Sequence, residues 1–419
     1  MQAIFQVTVP FFALVWLGYM AARTGRLPLD AVPGLNAFVL FFALPCMLFR
    51  FGAQLPLREL LDPVVLSIWL LCALLVVFIT VALTLSRRVV MKDAAFGALV
   101  AAFPNSGFMG VPMLTAIAGP AAAGPLLTGL LCDIFVTSSV CIALARSREE
   151  QSTLPAIGPG HGDHPDTHLS ADYGAAIHAD YAADFPGEYL DPRDEPALVG
   201  YPASPGLAGG ARGSMAGVAL RLMRATLGNP LPWAIALGAT AHALGLELPG
   251  PLDRVIALLA DAATPVALFT IGAVLWRARV HALELQEAHL SPADDPPPDP
   301  EKLARSRFAI ARHAAALGRQ GSWAQLRPDL AVVVIKLLVH PALVFVVALA
   351  AKALGAPLSS FQLTVLVLAA ALPSASNVAV LAERYRADSG RIARIVMGTT
   401  AFSFLSFSLL AWGLGMQPR

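Results

Sequence analysis

The sequence predicts an all-α polytopic membrane protein: ten transmembrane helices arranged as two inverted five-helix repeats, with broken crossover helices at spans 4 and 9. Three observations carry this. Of the 419 residues, 57% are hydrophobic and 14% charged, whereas a soluble chain holds roughly a quarter charged residues. The apolar residues gather in runs of about 20, the length that crosses hydrocarbon. Short patterns in the first half return in the second at a displacement of 220 residues.

The first run, within Met1 to Met20, lacks a basic segment before it and a small-residue cleavage site after it. It therefore reads as span 1 and not as a removable signal. Spans follow at about 4–22, 34–53, 63–86, 94–116 and 125–145, then at 228–246, 256–276, 330–353, 360–383 and 392–414, each a window near 19 residues of high hydropathy. The domain organisation is thus 1–146 as a first five-helix repeat, 147–227 as a flexible cytoplasmic loop rich in Gly, Pro, Ala, Asp and His, and 228–419 as the second repeat with a cytoplasmic insertion at 277–328. Within the insertion, Glu301 to Arg319 interleaves Leu303, Phe308 and Ile310 with Lys302, Arg305, Arg307 and Arg312. That pattern suits an amphipathic helix at an anionic membrane surface or a solvated one equally.

Orientation comes from the basic residues. Of 29 Lys and Arg, 23 fall in the loops after odd-numbered spans, among them Arg87, Arg88, Arg305 and Arg394; five fall on the other side, and Lys336 lies within a span. Such asymmetry places the large loops in the cytoplasm and both termini at the periplasm or exterior of the inner (plasma) membrane. The net charge of +1 offers no basic surface for nucleic acid.

The repeat is legible in particular residues. Pro10 and Gly18 of span 1 return as Pro230 and Gly238 of span 6; Pro45, Leu48 and Phe49 of span 2 return as Pro265, Leu268 and Phe269 of span 7. Five spans per repeat is an odd number, so the second copy enters from the opposite side, an architecture common in secondary transporters. Beyond the insertion, Pro104 of span 4 meets Pro373 of span 9 at a correspondingly larger displacement.

Span 4 reads AAFPNSGFMGVPML and packs Pro104, Gly107, Gly110 and Pro112 together; span 9 reads AAALPSASNVAVLAERY, with Pro373, Ser374, Ser376 and Asn377. Proline removes a backbone donor and clashes with the preceding turn, so each span should be two half-helices. Irregular backbone at membrane depth persists only where it is buried or lines a wet cavity, and half-helix N-termini favour an anion there. The candidate substrate-binding set is therefore Pro104, Asn105, Ser106, Gly107, Pro373, Ser374, Ser376 and Asn377. Asn105 follows its proline directly and Asn377 lies four residues after its own, which leaves their equivalence open. The competing reading is a pair of packing kinks whose polar side chains repair the backbone.

Asp133 in span 5 and Lys336 in span 8 are the ionisable residues deepest in apolar sequence, where an unpaired charge costs several kcal/mol. They read either as a coupling site or as a simple charge pair. His340, beside Pro341, reads as a packing residue before a proton relay. Asp261 and Glu383 are expected near the membrane interfaces.

Other chemistry is poorly served. Cys46, Cys72, Cys132 and Cys141 all lie in apolar runs, so neither disulfides nor a zinc cluster is expected. His161, Asp163, His164, Asp166 and His168 cluster in a Gly-Pro-rich loop without rigid geometry, so no metal and no cofactor is expected. The Gly160-His161-Gly162-Asp163 element imitates an intramembrane protease motif, yet that chemistry needs two carboxylates converging within spans, and an enzyme is not expected.

Taken in order, PNSGFMGVP, GNPLPWAIALG, PVALFTIGAVL and ALPSASNVAVLAERY before a last apolar span closely resemble the auxin efflux carrier family. The resemblance covers all ten spans and neither loop. It implies a fold like that of the bile-acid sodium symporters, with spans 1, 2, 6 and 7 as scaffold and the other six moving past it as an elevator. It implies a substrate site at Pro104, Asn105, Pro373 and Asn377, and a small organic anion, malonate or another carboxylate, as the transported partner in the lipid bilayer. A receptor or scaffold that binds a carboxylate without moving it is the alternative. Proton or sodium coupling and a homodimer remain open, as do the direction of transport and the exact substrate.

Overall fold

The computed structural model describes residues 2–86, 89–147, 230–288 and 323–416. The histidine-bearing loop cluster at 161–168 and the amphipathic stretch at 301–319 lie outside the described residues. Among those residues the chain is helical, with no named strand.

Twelve helices are used below: α1 Gln2–Arg23, α2 Ala31–Gln54, α3 Pro63–Thr84, α4 Met91–Ala102, α5 Ser106–Ala118, α6 Pro120–Arg146, α7 Pro230–Ala243, α8 Gly250–Ala288, α9 Arg327–Ala353, α10 Ser360–Ala370, α11 Asn377–Arg384 and α12 Ser389–Gly413. Seven of them, α1, α2, α3, α6, α8, α9 and α12, belong to helical runs long and apolar enough to cross a membrane. Two shorter apolar helices, α5 and α10, belong to the interrupted segments α4–α5 and α10–α11. The helix α8 runs on to Ala288, past the expected end of span 7.

Local chemistry sets the ends. Asp62 caps α3, its Oδ1 accepting from Val64 N at 2.9 Å and Val65 N at 3.2 Å, with Pro63 at the first position where a missing N–H costs nothing. Ser359 and Gln362 form a reciprocal capping box on α10. Asp388 caps α12 by accepting from Arg391 N at 2.7 Å. Outward-facing side chains are apolar: Phe78 is 71%, Leu83 68%, Val346 60% and Leu338 59% exposed. So broad an apolar surface would aggregate in water and is satisfied by lipid.

The helices pack in two groups. In one, α1 lies along α8 and α7 along α2, with α2 also against α8. In the other, α3 packs on α4, α4 on α6, α9 on α10, α9 on α3 and α11 on α12, while α12 also touches α8. The first group is held by glycines. A Cβ on Gly18 would overlap the Phe269 carbonyl, and one on Gly272 the Val15 carbonyl; a Cβ on Gly238 would overlap the Phe49 carbonyl, and one on Gly52 would sit 2.6 Å from the Ile235 carbonyl. Each α1–α8 contact thus recurs between α7 and α2 with every residue displaced by 220. Absence of side chains lets the backbones approach this closely, the usual device of packing in lipid.

At one end of the second group, helix ends far apart in sequence meet. Arg391 Nε donates to Asp329 Oδ1 at 2.8 Å and its Nη1 to the Asp93 carbonyl at 2.9 Å, while Arg394 Nη2 reaches Asp329 Oδ2 at 3.0 Å. The Arg146 guanidinium lies over the Tyr385 ring, 5.0 Å from its centre. These are the starts of α4, α9 and α12 and the ends of α6 and α11, five of the six ends in this group that the basic-residue count assigns to one side.

Candidate functional site

The site begins with the two interruptions. After α4, Phe103 to Asn105 leave helical geometry; after α10, Pro373 to Ser376 do the same. The freed backbones pair with each other as an isolated antiparallel bridge between Pro104 and Ser374: Asn105 N donates to the Pro373 carbonyl at 2.8 Å and Ala375 N to the Phe103 carbonyl at 3.1 Å. Side chains repair the remainder. Ser374 Oγ donates to the Val100 carbonyl at 2.8 Å, and Ser374 N donates to Thr399 Oγ1 at 3.3 Å. Each such group left bare in hydrocarbon would cost several kcal/mol. Thr399 had no signal in the sequence, since a threonine in an apolar helix is unexceptional.

Beside this bridge lies a narrow cleft with about 30 Å³ of internal space, lined by Pro104, Asn105, Ser106, Gly107 and Asn377 among apolar walls that include Phe103, Phe108, Leu130, Ile134 and Leu231. Five of the eight expected substrate-binding residues therefore come together. Pro373, Ser374 and Ser376 are buried and do not line the cleft. Ser374 serves the backbone, and Pro373 offers its carbonyl to Asn105.

The two asparagines hold corresponding places after all. Asn105 immediately precedes α5 and Asn377 is the first residue of α11, so both open the second half of an interrupted segment and both line the cleft. Counting from the prolines obscured this because the two interruptions differ in length. The first backbone bonds of α5 run from Met109 N and Gly110 N to the Asn105 carbonyl. Helix geometry then leaves the N–H groups of Gly107 and Phe108, both on the cleft, without partners inside their own helix. Asn377 Oδ1 is buried without a hydrogen-bond partner. The lining contains no charged side chain among the described residues. Amide dipoles and asparagine donors are therefore what the cleft offers an anion.

Behind the cleft wall, Asp133 is fully buried. Its Oδ1 accepts from Trp69 Nε1 at 3.1 Å and Thr137 Oγ1 at 3.0 Å, and its Oδ2 has no partner. Lys336 is also fully buried and makes no direct ion pair with Asp133. Its Nζ lies 3.2 Å from His340 Nδ1. Where Lys336 is an ammonium, which only donates, Nδ1 accepts and the ring proton sits on Nε2; the Ala101 carbonyl is a backbone acceptor for the ring. The Trp69 and His340 rings are 5.8 Å apart. Trp69 and Thr137 are partners the sequence did not single out. Elsewhere, Asp261 is exposed on α8, and the Glu383 side chain lies outside the described residues. The four cysteines are free, and no group of metal-ligating side chains occurs among the described residues.

The chain matches known membrane transport proteins over most of its length. The profile of the family described as "Membrane transport protein" matches residues 3–411. A protein of Rhizobium meliloti (strain 1021) named "Putative malonate transporter" is 24% identical over 405 residues, covering 96% of this chain and 93% of its own. "Auxin efflux carrier component 8" of Arabidopsis thaliana is 26% identical over 275 residues, covering 63% of this chain and 70% of its own.

Proposed function

Because the chain belongs to the membrane transport protein family, that of the auxin efflux carriers, we propose that it is a secondary transporter moving small organic anions, malonate or related carboxylates, across the cell inner membrane. It is a transporter and not an enzyme. The observation that carries the reading is the pairing of two interrupted apolar segments beside a cleft that holds Asn105, Asn377 and the first-turn N–H groups of Gly107 and Phe108. A carboxylate accepts charge-assisted hydrogen bonds from such donors, each contributing about 1.5–3 kcal/mol, and the half-helix dipole adds up to about 2 kcal/mol in a partly buried setting.

In this reading the chain spans the bilayer ten times, as two inverted five-helix repeats with α4–α5 and α10–α11 as crossover segments. The glycine contacts that recur at a displacement of 220 support it. The group α1, α2, α7 and α8 is the scaffold, and the remaining helices carry the cleft past it as an elevator. The network joining Arg391, Asp329, Asp93 and Arg394 ties the carrying group at its cytoplasmic end, so that it moves as one body. Both termini face the periplasm or exterior.

Purified protein in liposomes should take up radiolabelled malonate saturably, with succinate and indole acetate as comparators of charge and bulk. An impermeant thiol reagent should label Ala375→Cys from either side of the membrane in turn. Labelling from one side under every condition would overturn the elevator while leaving binding intact.

A further inference from the structure

The buried cluster behind the cleft is larger than a structural ion pair requires. Asp133 and Lys336 are both fully buried, yet they do not touch. One polar atom there, Asp133 Oδ2, lacks a hydrogen bond. A pair kept only for stability would close up, because an incompletely satisfied buried charge costs several kcal/mol. Both charged residues also begin or lie within a π-type turn, Asp133–Thr137 and Ile335–Val339. Such turns distort an otherwise regular helix and gather at functional sites.

The cluster adjoins the cleft. Ile134, next to Asp133, lines it, as does Phe103, two residues beyond Ala101. Among the described residues the cleft brings no cation to an anionic guest. Around Asp133 the titratable groups are few. On its own segment they are the Cys132 and Cys141 thiols; α9 brings Lys336 and His340; α3 carries one, Cys72. Past Asp93, α4 has none, and between Arg394 and Gly413 α12 has none.

We propose that this cluster binds one proton together with each anion, making the protein a proton–anion symporter. The inference rests on the carrier reading. With the cleft open to one side, a hydronium ion transfers its proton to Asp133 Oδ2: an O–H bond forms and water is left behind. On the other side the bond breaks and the proton returns to water. Trp69 N–H and Thr137 O–H stay on Oδ1 throughout, so the carboxyl keeps its place. Protonation changes the net charge of the Asp133–Lys336 cluster from zero to +1, which offsets the anion that the uncharged lining leaves unbalanced. A bound anion and a bound proton therefore favour one another, as linkage requires.

The test uses liposomes holding the full chain, an internal pH dye, potassium at equal concentration inside and out, and valinomycin to hold the membrane potential at zero. One proton per anion makes a pH gradient of about one unit drive an accumulation of about tenfold toward the alkaline side, above that in protein-free liposomes. The wild type should reach that ratio and acidify the lumen; Asp133→Asn should equilibrate its malonate near a ratio of about one, without proton entry. Wild-type uptake unaffected by the gradient, or Asp133→Asn still accumulating about tenfold, overturns the proposal while leaving a carrier. If Asp133→Asn does not fold, calorimetry of malonate binding to the wild type in buffers of different ionisation heat decides. Uptake of about one proton per malonate supports the proposal, and none refutes it. A folded wild type that carries no carboxylate defeats the carrier reading, and this inference with it.

Discussion

Replacing Gly238 by alanine should weaken the protein far more than one methyl group suggests, and Gly18→Ala should do the same for the same reason. Each new Cβ falls on a backbone carbonyl, Phe49 for Gly238 and Phe269 for Gly18. Neither neighbour is a flexible side chain that can swing away. The milder relative, Gly52, already places its Cβ 2.6 Å from the Ile235 carbonyl, so relief demands that two helices part by roughly half an ångström or more. A gap of about 0.5–1 Å forfeits about a quarter to a half of each dispersion contact. Large side chains such as Leu48 and Leu268, both fully buried, make tens of contacts of about 0.1–0.2 kcal/mol each, so the loss is on the order of 1–3 kcal/mol, the usual range for overpacking. Gly413→Ala, with nothing near its Cβ, is the control. Melting of detergent-solubilised protein, followed by size-exclusion fluorescence, should show Gly18→Ala and Gly238→Ala lowered alike and Gly413→Ala unmoved. Melting of Gly238→Ala at the wild-type temperature would refute the close-packed account of this helix pair.

Other expectations follow from the same geometry. Asn105→Ala and Asn377→Ala should each lower malonate uptake by roughly tenfold or more, the loss of one hydrogen bond to a charged group, with the protein still found in the membrane fraction; Pro373→Ala should impair uptake through the backbone pairing. Trp69→Phe removes one of the two donors to Asp133 Oδ1 and should cost about 1–3 kcal/mol, read as a lowered melting temperature. Asp329→Asn should be costly, about 3–5 kcal/mol for breaking a buried pair, because it strips Arg391, whose side chain is 5% exposed; Arg394→Ala, with a side chain 47% exposed, should cost at most about 1 kcal/mol. Equal melting of those two variants would contradict the assignment.

Much of this architecture was legible because membrane insertion writes itself locally. A run of apolar residues is a helix wherever it lies, so α3 begins at Pro63 and α10 ends its loop at Ser359 close to where composition places them. The interruptions were legible for the same reason, since Pro104 and Pro373 break a helix by their own chemistry. What those breaks pair with was not, because the bridge from Pro104 to Ser374 joins segments in different halves of the chain. Gly18 and Gly238 were visible only as a recurrence; their purpose, admitting a carbonyl, is a tertiary fact. Arg394 read as a loop cation because its partner Asp329 is distant in sequence, and the π-type turns at Asp133 and Ile335 carry no proline or glycine to announce them.

The central claim is carriage of a carboxylate through the cleft at the paired interruptions, and counterflow tests it most directly. Liposomes loaded with unlabelled malonate and diluted into a trace of labelled malonate should draw the label in transiently with the wild type, and far less with Asn105→Ala or Asn377→Ala of equal folded yield. Wild-type counterflow that both variants match would contradict the site. No counterflow of malonate, succinate or indole acetate by folded wild type would contradict the carrier.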